Sequence, residues 1–180
     1  KVSQIVDGKD EKNRALAGQA ITLCLEDEID ISRGDVIAKI NDRPETTDQF
    51  QAHLIWMHDE HMLPGRPYLI KTNNKTIKGV ITELRHKVNV NSLEHKSGKA
   101  LELNEVGLVN IKTFEPIAFD AYKDNKSMGS FILIDKFTNS TVAYGMINFG
   151  LRRASNVHWQ AVDVHKEIRA TQKHQQAKIL

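Results

Sequence analysis

Apolar and polar residues alternate with a period of two through most of this chain. No long stretch between residues 45 and 148 carries a helical period, so the chain is restricted to sheet architectures. After a boundary at Pro44, Phe50, Ala52, Leu54 and Trp56 alternate with Gln49, Gln51 and His53, which predicts a half-buried strand. Pro64-Gly65 turns the chain into Tyr68-Leu69-Ile70. Next, Val80, Thr82, Leu84, His86, Val88 and Val90 fall on one face, and Glu83, Arg85, Lys87 and Asn89 on the other. A strand of that length bends at a barrel corner, here expected near Gly79. Residues 92–104 read as polar loop with one short helical turn, and residues 106–111 as another strand. The unbroken run Phe131-Ile132-Leu133-Ile134 predicts a strand covered on both faces. Thr138-Asn139-Ser140 is a hairpin turn, and residues 141–147 return. About six strands that close on themselves leave no exposed edge, so a barrel is expected.

Residues 1–40 supply less. Val2, Ile5 and Val6 read as strand, as does Ala20-Ile21-Thr22-Leu23-Cys24-Leu25. Ser32-Arg33-Gly34-Asp35 is a polar turn into a third strand at Val36-Ile37-Ala38. So few strands bury too little surface to stand alone, and the segment reads as the end of a preceding barrel. Beyond Gln160, Ala161, Val164, Ile168 and Thr171 line one helical face, with Lys166, Glu167, Arg169 and Gln172 outside. A marginal helix or extended linker over 160–175 follows. The expected organisation is therefore all-β: part of one barrel (1–43), a six-stranded barrel (44–150) and a linker (151–180). Strand-like residues stand at both ends, with Lys1 first and Lys178-Ile179-Leu180 last. That suggests a piece of something longer.

Composition narrows the function. Ten glycines occur, none in the G-x-x-x-x-G-K-[ST] arrangement that cradles phosphates. A net charge of +2 is unevenly spread, with +4 over residues 151–180 and −2 over residues 1–150. A near-neutral body argues against broad attraction to nucleic acid. Cys24 is the single cysteine, so no internal disulfide forms, and a reducing cytoplasm is expected. Nothing approaches the ~20 apolar residues that span a membrane, and no secretory signal is visible.

Candidate chemical groups each have a plainer structural role. His53, His58 and His61, with Asp59 and Glu60, have the ligand types of a metal site, but read as solvated residues of a strand-to-turn junction. Trp56 has the ring to stack on a base but lies on an apolar strand face. Trp159 would pin the linker or face a further domain. Glu26-Asp27-Glu28 has magnesium-type ligands but reads as a polar loop. His86 is read as a core or interface residue rather than a base, Cys24 as a small hydrophobe. The Arg-Gly-Asp triplet of residues 33–35 is read as a turn, not an adhesion motif. No catalytic, cofactor-binding or metal-binding residue is assigned.

Residues 17–37 resemble the second domain of translation-factor-like GTPases, in which a strand precedes an R-G-D-V turn. With Leu25-Glu26-Asp27-Glu28-Ile29-Asp30, the segment resembles the large GTP-binding subunit of bacterial sulfate adenylyltransferase (ATP sulfurylase). Asp48-Gln49-Phe50-Gln51-Ala52-His53-Leu54, Leu63-Pro64-Gly65-Arg66-Pro67-Tyr68-Leu69, His86-Lys87-Val88-Asn89-Val90-Asn91 and Phe131-Ile132-Leu133-Ile134-Asp135-Lys136 resemble that family's third domain, in order. Asn156-Val157-His158-Trp159-Gln160 and Ala177-Lys178-Ile179-Leu180 resemble the segment before an adenylylsulfate kinase domain. The resemblance implies a parent that adenylylates sulfate with ATP, releases pyrophosphate and couples the step to GTP hydrolysis. GTP, ATP and magnesium would bind in other domains, and no cofactor would bind here. The implied partners are a small catalytic subunit and the parent's own GTPase and kinase domains, without nucleic acid or membrane. An RNA-binding barrel region of a translation GTPase, or a stand-alone interaction module, are the competing readings.

Overall fold

A computed structural model describes residues 1–8 and 10–151. The expected linker helix and Trp159 lie outside the described residues. All ten elements are strands, and no helix occurs among the described residues.

Strands β1 (Val2–Asp7), β2 (Asp10–Lys12) and β3 (Thr22–Leu25) form an antiparallel sheet in the order β2-β1-β3. No described residue in 1–43 is buried. The expected strand at Val36-Ile37-Ala38 does not form. Those residues lie against the second unit instead, and Lys39 and Asp42 close a small bridge after them. Val36 is half-buried there and Ile37 is 57% exposed.

The second unit contains β4 (Glu45–Trp56), β5 (Pro67–Lys71), β6 (Thr76–Val88), β7 (His95–Lys96), β8 (Val106–Phe119), β9 (Ser130–Asp135) and β10 (Thr141–Gly150). Their order is β5-β9-β10-β4-β8-β6-β7, and β5 also pairs with β6. That last pairing closes six strands into an antiparallel barrel, while the two-residue β7 extends the end of β6. The inward residues of β4 are Phe50, Ala52, Leu54 and Trp56, as the alternation requires. Phe50 meets Phe119 and Phe131 with ring centroids 5.9 and 5.6 Å apart. Gly145 leaves room for the Phe131 ring, because a Cβ there would lie 2.0 Å from the ring's Cζ.

Three sequence expectations differ from the structure. In β6 the inward residues are Ile77, Ile81 and Leu84, not Val80 and Thr82. Register shifts against β8 at Ile81/Glu83 and Leu84/His86 each displace the alternation by one, and a bulge reverses which side chains face inward. The bend thus sits beyond Gly79, and Val90 lies past the strand, 63% exposed. β8 also runs eight residues past Ile111, through Glu115-Pro116. A shift between Thr47 and Gln49 opens the β4–β8 ladder there, which accommodates a proline with no N–H to give. The buried Thr113 hydroxyl bridges the gap, 2.7 Å from the Glu115 carbonyl and 3.2 Å from that of Asp48. Finally, Phe131 and Leu133 are buried while Ile132 and Ile134 are half-buried, so β9 is covered fully on one face only.

Candidate functional site

The two units meet at a cleft of about 500 Å3. One wall is Ile29, Ile31 and residues 34–38; the other is Thr46, Asn74, Lys75 and residues 116–118. The sequence makes this wall in two steps. The Arg-Gly-Asp turn is locked by Ser32 N–H donating to the Asp35 carboxylate (2.9 Å) and Asp35 N–H donating to the Ser32 carbonyl (3.1 Å). Gly34 then adopts φ +102°, a region open chiefly to glycine. This turns its carbonyl toward the barrel, where Asn74 Nδ2 donates to it at 2.6 Å. A Cβ on Gly34 would press on the Asn74 carbonyl oxygen at 3.3 Å.

Asn74 is itself placed by the β5–β6 turn. Thr72 N–H donates to the Lys75 carbonyl at 2.9 Å, and the Thr72 hydroxyl lies 3.1 Å from both that carbonyl and Asn74 Oδ1. Lys75 Nζ pairs with Glu115 at 2.5 Å. Gly34 is thus tied to the strand hairpin by one hydrogen bond, with Ile29, Ile31 and Ile37 lining the cleft beside it. This geometry suits a mechanical joint. It offers no nucleophile with a neighbouring base, and chemistry of that kind needs one.

At the other end of the barrel, Asp135 is held at the centre of a polar clamp. Its side chain is 5% exposed. Phe137 and Thr138 N–H donate to it at 2.8 and 3.0 Å, and Arg66 reaches it at 2.6 Å. Arg66 also pairs with Glu60 at 3.0 Å, and Trp56 Nε1 donates to the Glu60 carbonyl at 2.7 Å. The two turn amides, with Arg66 behind them, hold the Asp135 carboxyl below the ordinary carboxylate range despite its burial.

The remaining sequence candidates take structural roles. Trp56 is core, 2% exposed. His53 Nδ1 pairs with Asn148 at 3.0 Å, and His58 Nδ1 accepts from Glu60 N–H at 3.1 Å; His61 and Asp59 are exposed. Among the described residues, no group of three or more His, Cys, Asp or Glu is placed to hold a metal ion. Glu26 pairs with Lys1 Nζ at 2.8 Å across β1 and β3. Cys24 is a half-buried free thiol. His86 stacks on His95 with ring centroids 3.8 Å apart. Partial burial lowers its pKa first, followed by repulsion from His95, His53 and Arg85. Sequence reasoning missed the Asn74–Gly34 bond and the Arg66–Asp135 clamp. Their local signals were present: a Thr-Asn-Asn-Lys hairpin turn, and an Asp followed by Phe137 and Thr138 amides.

Comparison with known proteins extends these observations. Residues 49–148 match the family model described as GTP-eEF1A C-terminal domain-like. The chain is 46% identical over 175 residues to the "Bifunctional enzyme NodQ" of Rhizobium sp. (strain N33), covering 97% of this chain and 27% of that protein. It is 44% identical over 180 residues to the "Bifunctional enzyme CysN/CysC" of Xylella fastidiosa, covering 100% of this chain and 29% of that protein. Against "Sulfate adenylyltransferase subunit 1" of Alteromonas mediterranea the identity is 41%, over 92% of this chain and 40% of that one. The chain therefore spans well under half the length of these curated relatives. Among solved structures, sup35 complexed with GDP superposes with a TM-score of 0.73 at 19% identity, covering 84% of this chain and 38% of that one. At that identity the likeness concerns the fold. Among the described residues no helix is long and apolar enough to cross a membrane.

Proposed function

Given that the chain belongs to the GTP-eEF1A C-terminal domain-like family, we propose that it is the non-catalytic barrel region of the GTP-binding subunit of a sulfate adenylyltransferase, in a polypeptide also carrying an adenylylsulfate kinase. The observation that carries this reading is the match of the whole chain, at 44% identity, to a protein named CysN/CysC. Residues 1–43 are the end of a second-domain barrel, residues 44–150 the third domain, and residues 151–180 the connection to the kinase. The parent makes adenylylsulfate and pyrophosphate from ATP and sulfate, driven by GTP, in the cytoplasm. GTP, ATP and magnesium bind in its other domains, and adenylyl transfer belongs to a small partner subunit.

This chain's part is coupling. The cleft joins a sheet with no buried residue among those described to a closed barrel. A change of nucleotide in the GTPase domain moves these units as packed bodies, and the Gly34–Asn74 bond carries that movement across. A role in RNA binding, as in translation GTPases of this fold, fits poorly with the charge of −2 over residues 1–150.

The test is a nucleotide titration beside the encoding DNA. The isolated chain should neither bind GTP nor hydrolyse ATP, and coding sequence on both sides should contain a Walker-type glycine loop. Micromolar GTP binding by this chain, or salt-sensitive tRNA binding, would reject the proposal.

A further inference from the structure

The surface is hollowed on either side of the turn at residues 72–75. One hollow, about 420 Å3, is lined by Arg33, Lys71 and residues 72–76. The other, about 330 Å3, is lined by residues 71–73 facing Ser127, Ser130 and Tyr144. They share Lys71, Thr72 and Asn73, which stand between them, and the first hollow forms a basic trough. Its walls hold Arg33, Lys71 and Lys75 with the hydroxyls of Thr72 and Thr76, and no carboxylate lines either hollow. The chain as a whole has 23 acidic residues for 25 Lys and Arg, so a wall free of carboxylates is a local departure from a balanced surface. Lys75 is fixed by Glu115. The side chains of Arg33 and Lys71 have no hydrogen-bond or ion-pair partner among the described residues. Like charges gathered in a concave wall raise the local positive potential, and an anion relieves it.

We propose that this trough binds a tetrahedral oxyanion of the phosphate class. Lys71 supplies a mobile ammonium and Arg33 a planar donor fork suited to two oxygens of such an anion; the Thr76 hydroxyl stands in the same wall. The two principal cations come from different units, Arg33 from the turn after β3 and Lys71 from the end of β5. A bound anion therefore bridges the cleft alongside the Asn74–Gly34 bond and holds the units together. This site does not depend on the sulfate-activation reading. Either free phosphate or the phosphate of an ester could supply the chemistry.

The experiment is calorimetric titration of the 180-residue chain with inorganic phosphate, and separately with adenosine 5′-phosphate, at constant ionic strength balanced with chloride. Saturable binding of at least one is expected. Lys71→Gln and Arg33→Gln should each weaken it about tenfold, the equivalent of about 1.4 kcal/mol. Lys71→Arg should retain it, and Lys99→Gln, remote from the trough, should leave it unchanged. Tighter inorganic phosphate identifies a free anion as the ligand; tighter adenosine 5′-phosphate identifies an ester. Non-saturating heats for both anions, or equal affinity in the wild type and the Lys71→Gln and Arg33→Gln variants, overturn the proposal.

Discussion

Replacing Asp135 by alanine tests how the barrel is closed at its β9–β10 end. The carboxylate accepts from two turn amides and from Arg66 while only 5% exposed. Its removal leaves those two amides without their acceptor, while Arg66 keeps its second carboxylate, Glu60. A hydrogen bond to a charged group contributes about 1.5–3 kcal/mol, so losing the two amide bonds to the carboxylate costs about 3–5 kcal/mol. A domain this small has roughly 5–15 kcal/mol in all, so the variant should be visibly marginal. With a urea slope near 2 kcal/mol per M, the unfolding midpoint should fall by about 2 M. Asp135→Asn keeps an oxygen for the turn amides and loses the charge, so it should fall between wild type and alanine. Arg66→Met alone should cost about 1 kcal/mol, since its side chain is 38% exposed and water screens it. Urea unfolding at pH 7 followed by Trp56 fluorescence gives all three values. An alanine variant within about 0.5 kcal/mol of wild type would refute the reasoning, because surface substitutions without structural consequence fall in that range.

Gly145→Ala should destabilise the barrel by about 1–3 kcal/mol or more, since its Cβ would meet the Phe131 ring at 2.0 Å; thermal unfolding checks this, and an unchanged Tm contradicts it. The lowered pKa of His86 means the unfolded chain binds its proton more readily, so the histidine's contribution is full above about pH 6.5 and fades below it. His86→Gln should therefore lose less stability than wild type between pH 7.5 and 5, measured by urea midpoints; parallel curves would contradict that. Gly34→Ala, with φ at +102°, should cost about 1 kcal/mol or more. It should also speed amide exchange at residues 33–36 while leaving β9 and β10 protected; uniform exchange would show that the turn does not act locally.

Most of the barrel was legible because its alternation is clean where strands pair without interruption. Phe50 to Trp56 shows this: every second residue is buried, and burial follows from period alone. Legibility failed where pairing slips. The shifts at Ile81/Glu83 and Leu84/His86 depend on what β8 offers across the ladder, information held some thirty residues away in sequence. The continuation of β8 past Ile111 through Pro116 was hidden for the same reason: the gap that admits the proline lies at Thr47 and Asp48 on the facing strand. Val36-Ile37-Ala38 has the residues of a strand and lacks a neighbour. The joint was half legible. Its glycine turn could be read locally, while its partner, Asn74, could be known only once the barrel had placed the β5–β6 turn against it.

The central claim is that these barrels relay the nucleotide state rather than perform chemistry. Its most direct test is to introduce Asn74→Ala into the proposed parent enzyme, assayed with the proposed small subunit, and to measure GTP hydrolysis and GTP-stimulated adenylylsulfate formation together. Loss of the 2.6 Å bond to Gly34 should leave hydrolysis intact while the stimulation falls. Unchanged stimulation, or hydrolysis that falls in parallel, would contradict the account.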